Sequence, residues 1–521
     1  MPKRYPAAAA IDIGSSEIRL HVAQATPFDK VSPASVNYLD ILHYPLSLGR
    51  DTFNAGKMSF DKVDKACEII KNFLDVSRGY GVKNVQTVAS TAMREAANAD
   101  YILDQIKIKT GIAVNVLDDL EEKHQIYKLI THYGERYFQD SALVVYIGTG
   151  HVGVSLFLDG KITRTWSISV GSLRMGELFG QMQEYTRDFY KLMEEFFMGY
   201  TISLKKELPD KIQHFIVSGR EIDLISRLAM PEIPPLHGAN PPLFEIPRQD
   251  FEALYDKIKR KTPDRIATDF SLDTNNAEAL LPAACIYQTL LGFTSAEVIT
   301  AARIWPCDTV LFETLYPKRF IAIDRYFDRG TLISAENLAR RHGANMPHAL
   351  LVKDFALNIF EKIKKLHGLG HRDKLLLSAS SLLHDVGEVV NNRDHHKMSY
   401  AIVRGSDLVG LSQTEQEMVA LICRYHSAAM PDTRDAGYAA LDTEKKVRVS
   451  KLAAMLRLAD ALDRSHAQKY TKISVKLAEH QLIISADTTS NVSLEKWAFI
   501  EKGRFFEEVF GIKAELKIKK I

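Results

Sequence analysis

Residues 143–156 read LVVYIGTGHVGVSL: an apolar run, a Gly-Thr-Gly turn at 148–150, and a second, alternating run. Two such runs around a glycine turn predict a β-hairpin. Glycines let backbone N–H groups approach an anion closely, so the turn is a candidate phosphate loop. No carboxylate stands at its mouth, where metal-assisted phosphate chemistry needs one. The pattern has an earlier counterpart. AAAAIDIG (7–14) and EIRLHVAQ (17–24) read as strands around a Gly-Ser-Ser turn. Two halves that each open on such a hairpin predict a duplicated α/β pair with a ligand cleft between the halves.

A chain of 521 residues exceeds one core and predicts three or four domains. Its composition, 46% hydrophobic and 25% charged, is that of an ordinary globular protein. Lys and Arg (67) nearly balance Asp and Glu (65), so a polyanion must be held by a local patch. Cys67, Cys285, Cys307 and Cys423 form no C-x-x-C pair and read as reduced packing residues. The apolar stretch near the N-terminus is interrupted by Asp12 and Gly14, and no window reaches the roughly 20 apolar residues of a membrane helix. A cytoplasmic protein without membrane partners is expected.

Between the hairpins, 60–81 reads as an amphipathic helix, 85–90 and 112–117 as strands, and 121–134 as a helix. PEIPPLHGANPPLFEIP (231–247) holds six of the 18 prolines and reads as a loop inside the second half. From about 325 to 467 long amphipathic helices dominate, and the rest reads as two strands, a helix and a strand. The expected fold class is α/β lobes, then an all-α domain, then a small α+β cap. The domains are expected at 1–135, 136–320, 325–467 and 468–521.

The first glycine turn places Asp12 at a strand end, followed by Gly14, Ser15 and Ser16. Small and hydroxyl residues suit a phosphate and the Asp suits a hydrated metal; a capped strand turn uses the same residues. TVASTAMREAANAD (87–100) offers Ser90, Thr91 and Arg94 around a helix start, which reads equally as an anion site or an N-cap. Glu121 and Glu122 open the next helix. A carboxylate there serves either as a general base or as a match to the helix dipole.

Taken in order, DIGSSEIRL, VASTAMREAAN, VLDDLEEKHQIY, the glycine hairpin, SVGSLRMGELF (169–179), FIVSGREIDLISRLA (215–229) and ALLPAACIYQTLL (279–291) resemble the exopolyphosphatase / guanosine pentaphosphate phosphatase (Ppx/GppA) family over essentially the whole chain. The resemblance implies two ribonuclease-H-like lobes of the actin and hexokinase superfamily. It implies a magnesium-dependent hydrolase that releases terminal orthophosphate from polyphosphate or guanosine pentaphosphate, working as a homodimer. Glu121 falls at the family's catalytic glutamate. Asp12, Gly14, Ser15, Ser16 and Arg94 match its first phosphate-binding stretch, and Gly148, Thr149, Gly150 and His151 its second.

The second loop departs from the family. Where the family usually reads Asp-Ile-Gly-Gly-Gly-Ser, this chain has Tyr146, Ile147, Gly148, Thr149, Gly150 and His151, so a carboxylate is replaced by a phenol. Trp305-Pro306-Cys307-Asp308 likewise stands where the family commonly has an Arg-Glu-Gly stretch. These departures support an alternative function, a weakened lobe pair that senses alarmone or polyphosphate, with any catalysis elsewhere.

Elsewhere means the helical segment. SLLHDVGEVV (381–390) holds an adjacent His384-Asp385, with His348 upstream, His395 and His396 after it, His426 on a later helix and Asp460 on another. Imidazoles and carboxylates brought from separate helices build metal sites in bundles. The order resembles the HD-domain phosphohydrolases. By that resemblance His348, His384, Asp385 and Asp460 are core ligands, with His396 or His395 and His426 completing a second position for a transition metal, Mg2+ or Mn2+. Basic runs at 257–265 and 353–374 offer a polyanion groove or a solvated face. Without interleaved aromatics they do not point to nucleic acid.

Overall fold

A computed structural model describes residues 6–26, 36–148, 150–168, 170–179, 188–232, 242–406, 408–470, 472–478 and 481–520. The chain divides into two compact units, 1–327 and 328–521.

The first unit carries two sheets of matching grammar. In the first, β1 (Ala7–Ile13), β2 (Glu17–Ala25) and β3 (Val36–Pro45) form an antiparallel meander. β4 (Val85–Ala89) then lies parallel to β1, and β5 (Asn115–Val116) parallel to β4. In the second, β6 (Ser141–Ile147), β7 (Val152–Leu158) and β8 (Lys161–Ile168) repeat the meander, and β9 (His214–Gly219) lies parallel to β6. β11 (Val298–Ala302) continues parallel to β9. The orders 3-2-1-4-5 and 8-7-6-9-11 are therefore the same path walked twice, with β10 (Leu243–Pro247) added antiparallel at the far edge of the second.

The local reasons are legible. β1 and β6 lie inside their sheets with a neighbour on either side, and both are buried almost end to end, which selects mainly apolar runs over alternating ones. The helix Thr274–Leu291 is apolar nearly all round because it lies buried in the second core. β10 corrects the loop expected over 231–247: its last residues pair with β11, and its prolines Pro242 and Pro247 sit at strand termini, where proline is tolerated. Residues 233–241 lie outside the described set. The strand expected at 112–117 contracts to Asn115–Val116 after the left-handed Gly111.

The helix Pro306–Leu315 follows β11 of the second sheet yet packs on β1 and β2 of the first. There the buried Asp308 Oδ1 lies 2.7 Å from His21 Nδ1 and accepts from Tyr38 Oη at 2.9 Å. Trp305 and Pro306 are left facing the space between the sheets, while Cys307 and Asp308 turn away from it.

The second unit is a helical bundle whose core is shared with a C-terminal sheet, β12 (Lys472–Leu477), β13 (Gln481–Thr488) and β14 (Lys513–Lys520). Leu482, Ile484, Phe499 and Phe506 belong to the same apolar cluster as Val352, Leu376, Ile422 and Leu456. The α+β stretch is thus continuous with the bundle. Among the described residues no helix is long and apolar enough to cross a membrane. The basic run at 257–265 is largely ion-paired: Lys259 with Asp256, and Lys261 and Arg265 with Asp269.

Candidate functional sites

Between the two sheets of the first unit lies a cleft bounded by the ends of β1, β6 and β9. The first glycine turn is fastened before it meets any ligand: Gly14 N donates to Glu17 O (3.0 Å), Gly49 N to Ser15 O (2.7 Å) and Leu46 N to Ser16 O (2.9 Å). Asp12, Gly14, Ser15 and Ser16 all line the cleft, as the sequence predicts. Burial pushes the Asp12 carboxyl up to about 6, against the pull of Arg19 and His21.

Gly148 also lines the cleft, its N–H donating to His151 O at 2.8 Å across the second turn. Thr149 lies outside the described residues, and Gly150 sits where an added Cβ would be 3.4 Å from Thr91 Cγ2. Gly219 closes β9 at φ +139°, and a Cβ there would fall 2.4 Å from Ile147 O, so only glycine fits.

Three expectations are corrected. Glu121 does not face the cleft: its Oε2 accepts from Asp118 N (3.0 Å) while Asp118 Oδ1 accepts from Leu120 N and Glu121 N (2.9 Å each), a closed capping box on the helix Asp119–Tyr133. Glu122, one residue on, points into the cleft, because successive helical side chains diverge by about 100°. Arg94 and His151 do not line the cleft; both converge on Asp119. Arg94 pairs with it while donating to Leu117 O (2.6 Å), and His151 Nδ1 lies 3.1 Å from Asp119 Oδ1. Burial holds His151 down to about 4, so it is a neutral ring at neutral pH.

Glu122 Oε1 accepts a short hydrogen bond from Tyr146 Oη. Its Oε2 is buried and has no hydrogen-bond partner among the described residues. Burial pushes this carboxyl up to about 7, more strongly than Tyr146 and Arg94 pull it down. Two cations that the sequence reading passed over complete the wall. Arg220 donates from Nη1 to Ser16 Oγ (3.0 Å) and from Nη2 to Asn276 Oδ1 (2.7 Å). Arg19 pairs with Glu17 and stacks at 4.4 Å over Trp305. Arg220 opens the helix Arg220–Ala229, whose N-terminus has no side-chain cap. The signal for it was available in the VSGRE stretch, a glycine turn entering a helix.

The second unit assembles the other constellation. His348 lies in the first turn of Met346–Lys362, His384 and Asp385 follow His371–Leu383, His426 follows Gln413–Tyr425, and Asp460 lies near the end of Thr443–Ala461. His396 is corrected: it is half-buried and outside the cluster, and its neighbour His395, first residue of the helix His395–Arg404, takes the place.

In each of the four rings Nδ1 is engaged: by Ser381 O for His384 (2.8 Å), Asn392 O for His395 (2.9 Å), Cys423 O for His426 (2.5 Å) and Asp463 Oδ2 for His348 (2.9 Å). A carbonyl only accepts, so Nδ1 carries the proton in those rings and Nε2 presents a lone pair. Yet the Nε2 atoms face one another, 3.2 Å apart for His348 and His384 and 3.1 Å for His395 and His426. Asp385 stands between the pairs. Its Oδ2 is 3.6 and 3.3 Å from Nε2 of His348 and His384, and its Oδ1 3.6 and 3.3 Å from Nε2 of His395 and His426. Asp460 Oδ1 is 3.5 Å from His348 Nε2, and its other oxygen pairs with Lys502. Burial opposes ionisation of Asp385, but the surrounding histidines hold it well below the usual carboxylate range. Among the described residues, His348, His384 and Asp460, and Asp385, His395 and His426, form two groups whose nitrogen and oxygen atoms lie close enough together that they could hold a metal ion. His466, not anticipated, stacks on His348 with ring centroids 3.8 Å apart.

The model of the Ppx/GppA phosphatase family matches residues 35–305, and that of Ppx/GppA phosphatase domain III matches 332–499. The chain belongs to the Ppx/GppA family. It is accordingly a hydrolase. It is 21% identical over 511 residues to the guanosine-5'-triphosphate,3'-diphosphate pyrophosphatase of Photobacterium profundum, 95% of either chain being covered. The exopolyphosphatase structure from Cytophaga hutchinsonii covers 60% of this Ppx/GppA chain and 98% of its own, at 18% identity and a TM-score of 0.51. The Aquifex aeolicus family member covers 60% and 99%, at 19% identity and a TM-score of 0.50. The repeated sheet path is thus the actin- and hexokinase-like fold of the family.

Proposed function

We propose that the cleft releases terminal orthophosphate from inorganic polyphosphate or guanosine pentaphosphate, with Glu122 as the base. The observation that carries this reading is the buried, cleft-facing Glu122, whose Oε1 is anchored by Tyr146 and whose Oε2 is left to meet a water. A carboxylate near 7 takes a proton from water efficiently at neutral pH. Arg220 and Arg19 neutralise phosphate oxygens, and Ser15, Ser16 and the uncapped N-terminus of Arg220–Ala229 donate to them. Asp12, the buried carboxyl that lines the cleft at the end of β1, fits a divalent cation held through water, magnesium in our reading. When bound, that ion neutralises phosphate charge.

Tyr146 replaces the family carboxylate but keeps a function in the same place, holding the base instead of a metal. That, with relatives named as hydrolases, disfavours the sensor reading. Phosphate release from polyphosphate and guanosine pentaphosphate by wild type and Glu122→Gln tests the proposal; equal rates would overturn it.

A second reading concerns the bundle. We infer an HD-type dinuclear metal centre, one ion on each side of Asp385, held by His348, His384 and Asp460 on the Oδ2 side and by His395 and His426 on the Oδ1 side. The facing Nε2 atoms favour it. Such a pair clamps a phosphoester or phosphoanhydride when loaded. Metal content and turnover of phosphoanhydrides and cyclic nucleotides in Asp385→Ala, set against Glu122→Gln, assign each activity to its unit.

A further inference from the structure

Trp305 stands half-buried in the wall of the cleft, on the segment where the chain departs from its family. Its indole is fixed from two directions. Along the chain, Trp305 N donates to Asp308 Oδ2 (2.8 Å) and Asp308 N to Trp305 O (3.0 Å), which seats the indole just ahead of the helix Pro306–Leu315. Pro306, at the start of that helix, keeps Trp305 extended at φ −115° and ψ 163°. From the first sheet, His21 meets the indole edge-on, with ring centroids 5.6 Å apart and planes at 88°. The same Asp308 engages His21 Nδ1 through Oδ1, at 2.7 Å. One buried carboxylate therefore sets both the backbone that carries the indole and the imidazole that abuts it.

What the indole supports is Arg19. Arg19 and His21 lie two residues apart on β2, so both project from one face of the strand, and Arg19 stands opposite Asp12 on β1. The guanidinium carbon of Arg19 lies 4.4 Å from the indole centroid, and the guanidinium also pairs with Glu17. A long side chain gives up rotamer freedom when it grips a ligand; an arginine already held against a ring has given it up beforehand. A guanidinium lying over a ring keeps its N–H bonds in its own plane, so the stack is compatible with a two-point contact to phosphoryl oxygens. Lysine offers no such plane.

We propose that Trp305 is a positioning residue of the cleft: its indole holds the Arg19 guanidinium ready for a phosphoryl group of the substrate. This assignment rests on the phosphate-cleft reading above. The indole at 305 thus serves phosphate binding through Arg19, while proton transfer stays with Glu122.

The test is calorimetric binding of inorganic phosphate to the full-length protein with magnesium present, arranged as a double-mutant cycle of Trp305→Leu and Arg19→Gln. Inorganic phosphate is the product of the proposed reaction and is not consumed, so the measurement is independent of turnover. Trp305→Leu should weaken phosphate about tenfold, and Trp305→Phe, which keeps a ring face, should recover part of the loss. In the Arg19→Gln background, Trp305→Leu should weaken it by less than about twofold more. A wall residue that only packs would give the same loss in either background. Denaturant melts establish that each variant is folded; where Trp305→Leu is not, Trp305→Phe takes its place in the cycle. Wild-type affinity in the Trp305 variant, equal losses with and without Arg19, or phosphate binding unaltered by Arg19→Gln would overturn the positioning role and leave Glu122 as the base. Absence of phosphate binding in wild type would overturn the positioning role together with the cleft reading.

Discussion

Tyr146, the penultimate residue of β6, hydrogen-bonds through its hydroxyl to Glu122 Oε1, twenty-four positions earlier on a helix of the other half of the unit. The bond ties the strand that enters the second glycine turn to the carboxyl proposed as the base. Tyr146→Phe keeps the ring and removes the donor, leaving a buried oxygen of Glu122 unsatisfied. A bond to a charged group is worth about 1.5–3 kcal/mol, so kcat should fall about 10- to 100-fold with KM little changed. Since the Tyr146 bond lowers the Glu122 pKa, its loss should move the acid limb of the rate profile to higher pH.

The two neighbouring glutamates should separate cleanly. Glu122 is raised to about 7, so it is protonated and idle as a base below that pH and ionised above it. Phosphate release should climb through about pH 7 and level off, and Glu122→Gln should abolish the limb with a loss of about 100-fold or more. Glu121→Gln should leave the limb in place and lower stability by up to about 1 kcal/mol through the weakened capping box, read by denaturant melts.

Glycines provide a contrast in stability. Gly219→Ala would place a Cβ 2.4 Å from Ile147 O on a left-handed backbone, and unfolding should show about 2–4 kcal/mol of destabilisation together with lost activity. Gly199→Ala, in the helix Phe189–Glu207 with open space around it, should stabilise by about 0.5–1 kcal/mol.

Gly387 is the close contact that seats His395: a Cβ there would meet His395 O at 2.2 Å and Ser399 N at 2.4 Å. Gly387→Ala should push the helix His395–Arg404 away and weaken the ion on the Asp385 Oδ1 side, leaving the Oδ2 side occupied. Metal stoichiometry falling from two ions towards one in the folded variant is the expected reading.

Metal removal should lower the thermal midpoint of the wild type. An ion present at 100 times its Kd adds about 2.7 kcal/mol, or roughly 5–10 °C for a unit of this size. Asp385→Ala should show no such difference between chelated and metal-supplemented samples.

The repeated strand path was legible in the sequence because buried central strands write themselves as mainly apolar runs, as in AAAAIDI and SALVVYI. Asp12, Ser15 and Ser16 were legible because a strand-end glycine turn is a local feature. The choice between Glu121 and Glu122 was not. It depends on which helical face meets the cleft, and Asp118, which caps the helix with Glu121, was not read as a cap. Arg94 and His151 were misplaced for the same reason: their partner Asp119 becomes visible only when the helix start is set beside the second turn. In the bundle, the His-Asp pair identified the constellation, whereas His395 against His396 is a matter of which neighbour heads its helix inward. His466 carried no local signal, because its left-handed backbone is fixed by Asp463 through tertiary contacts.

Lys502 reaches from the helix Ser493–Phe510 to Asp460, so a residue near the end of the chain neutralises a carboxylate of the bundle's histidine cluster. The C-terminal segment is therefore a gauge of the centre. Whatever ion settles beside Asp460 must share its carboxylate with that ammonium, and amide exchange along 493–510 should register the competition. Truncation behind Ala461 would remove a wall of the site along with the tail, so the centre is best studied in the intact chain.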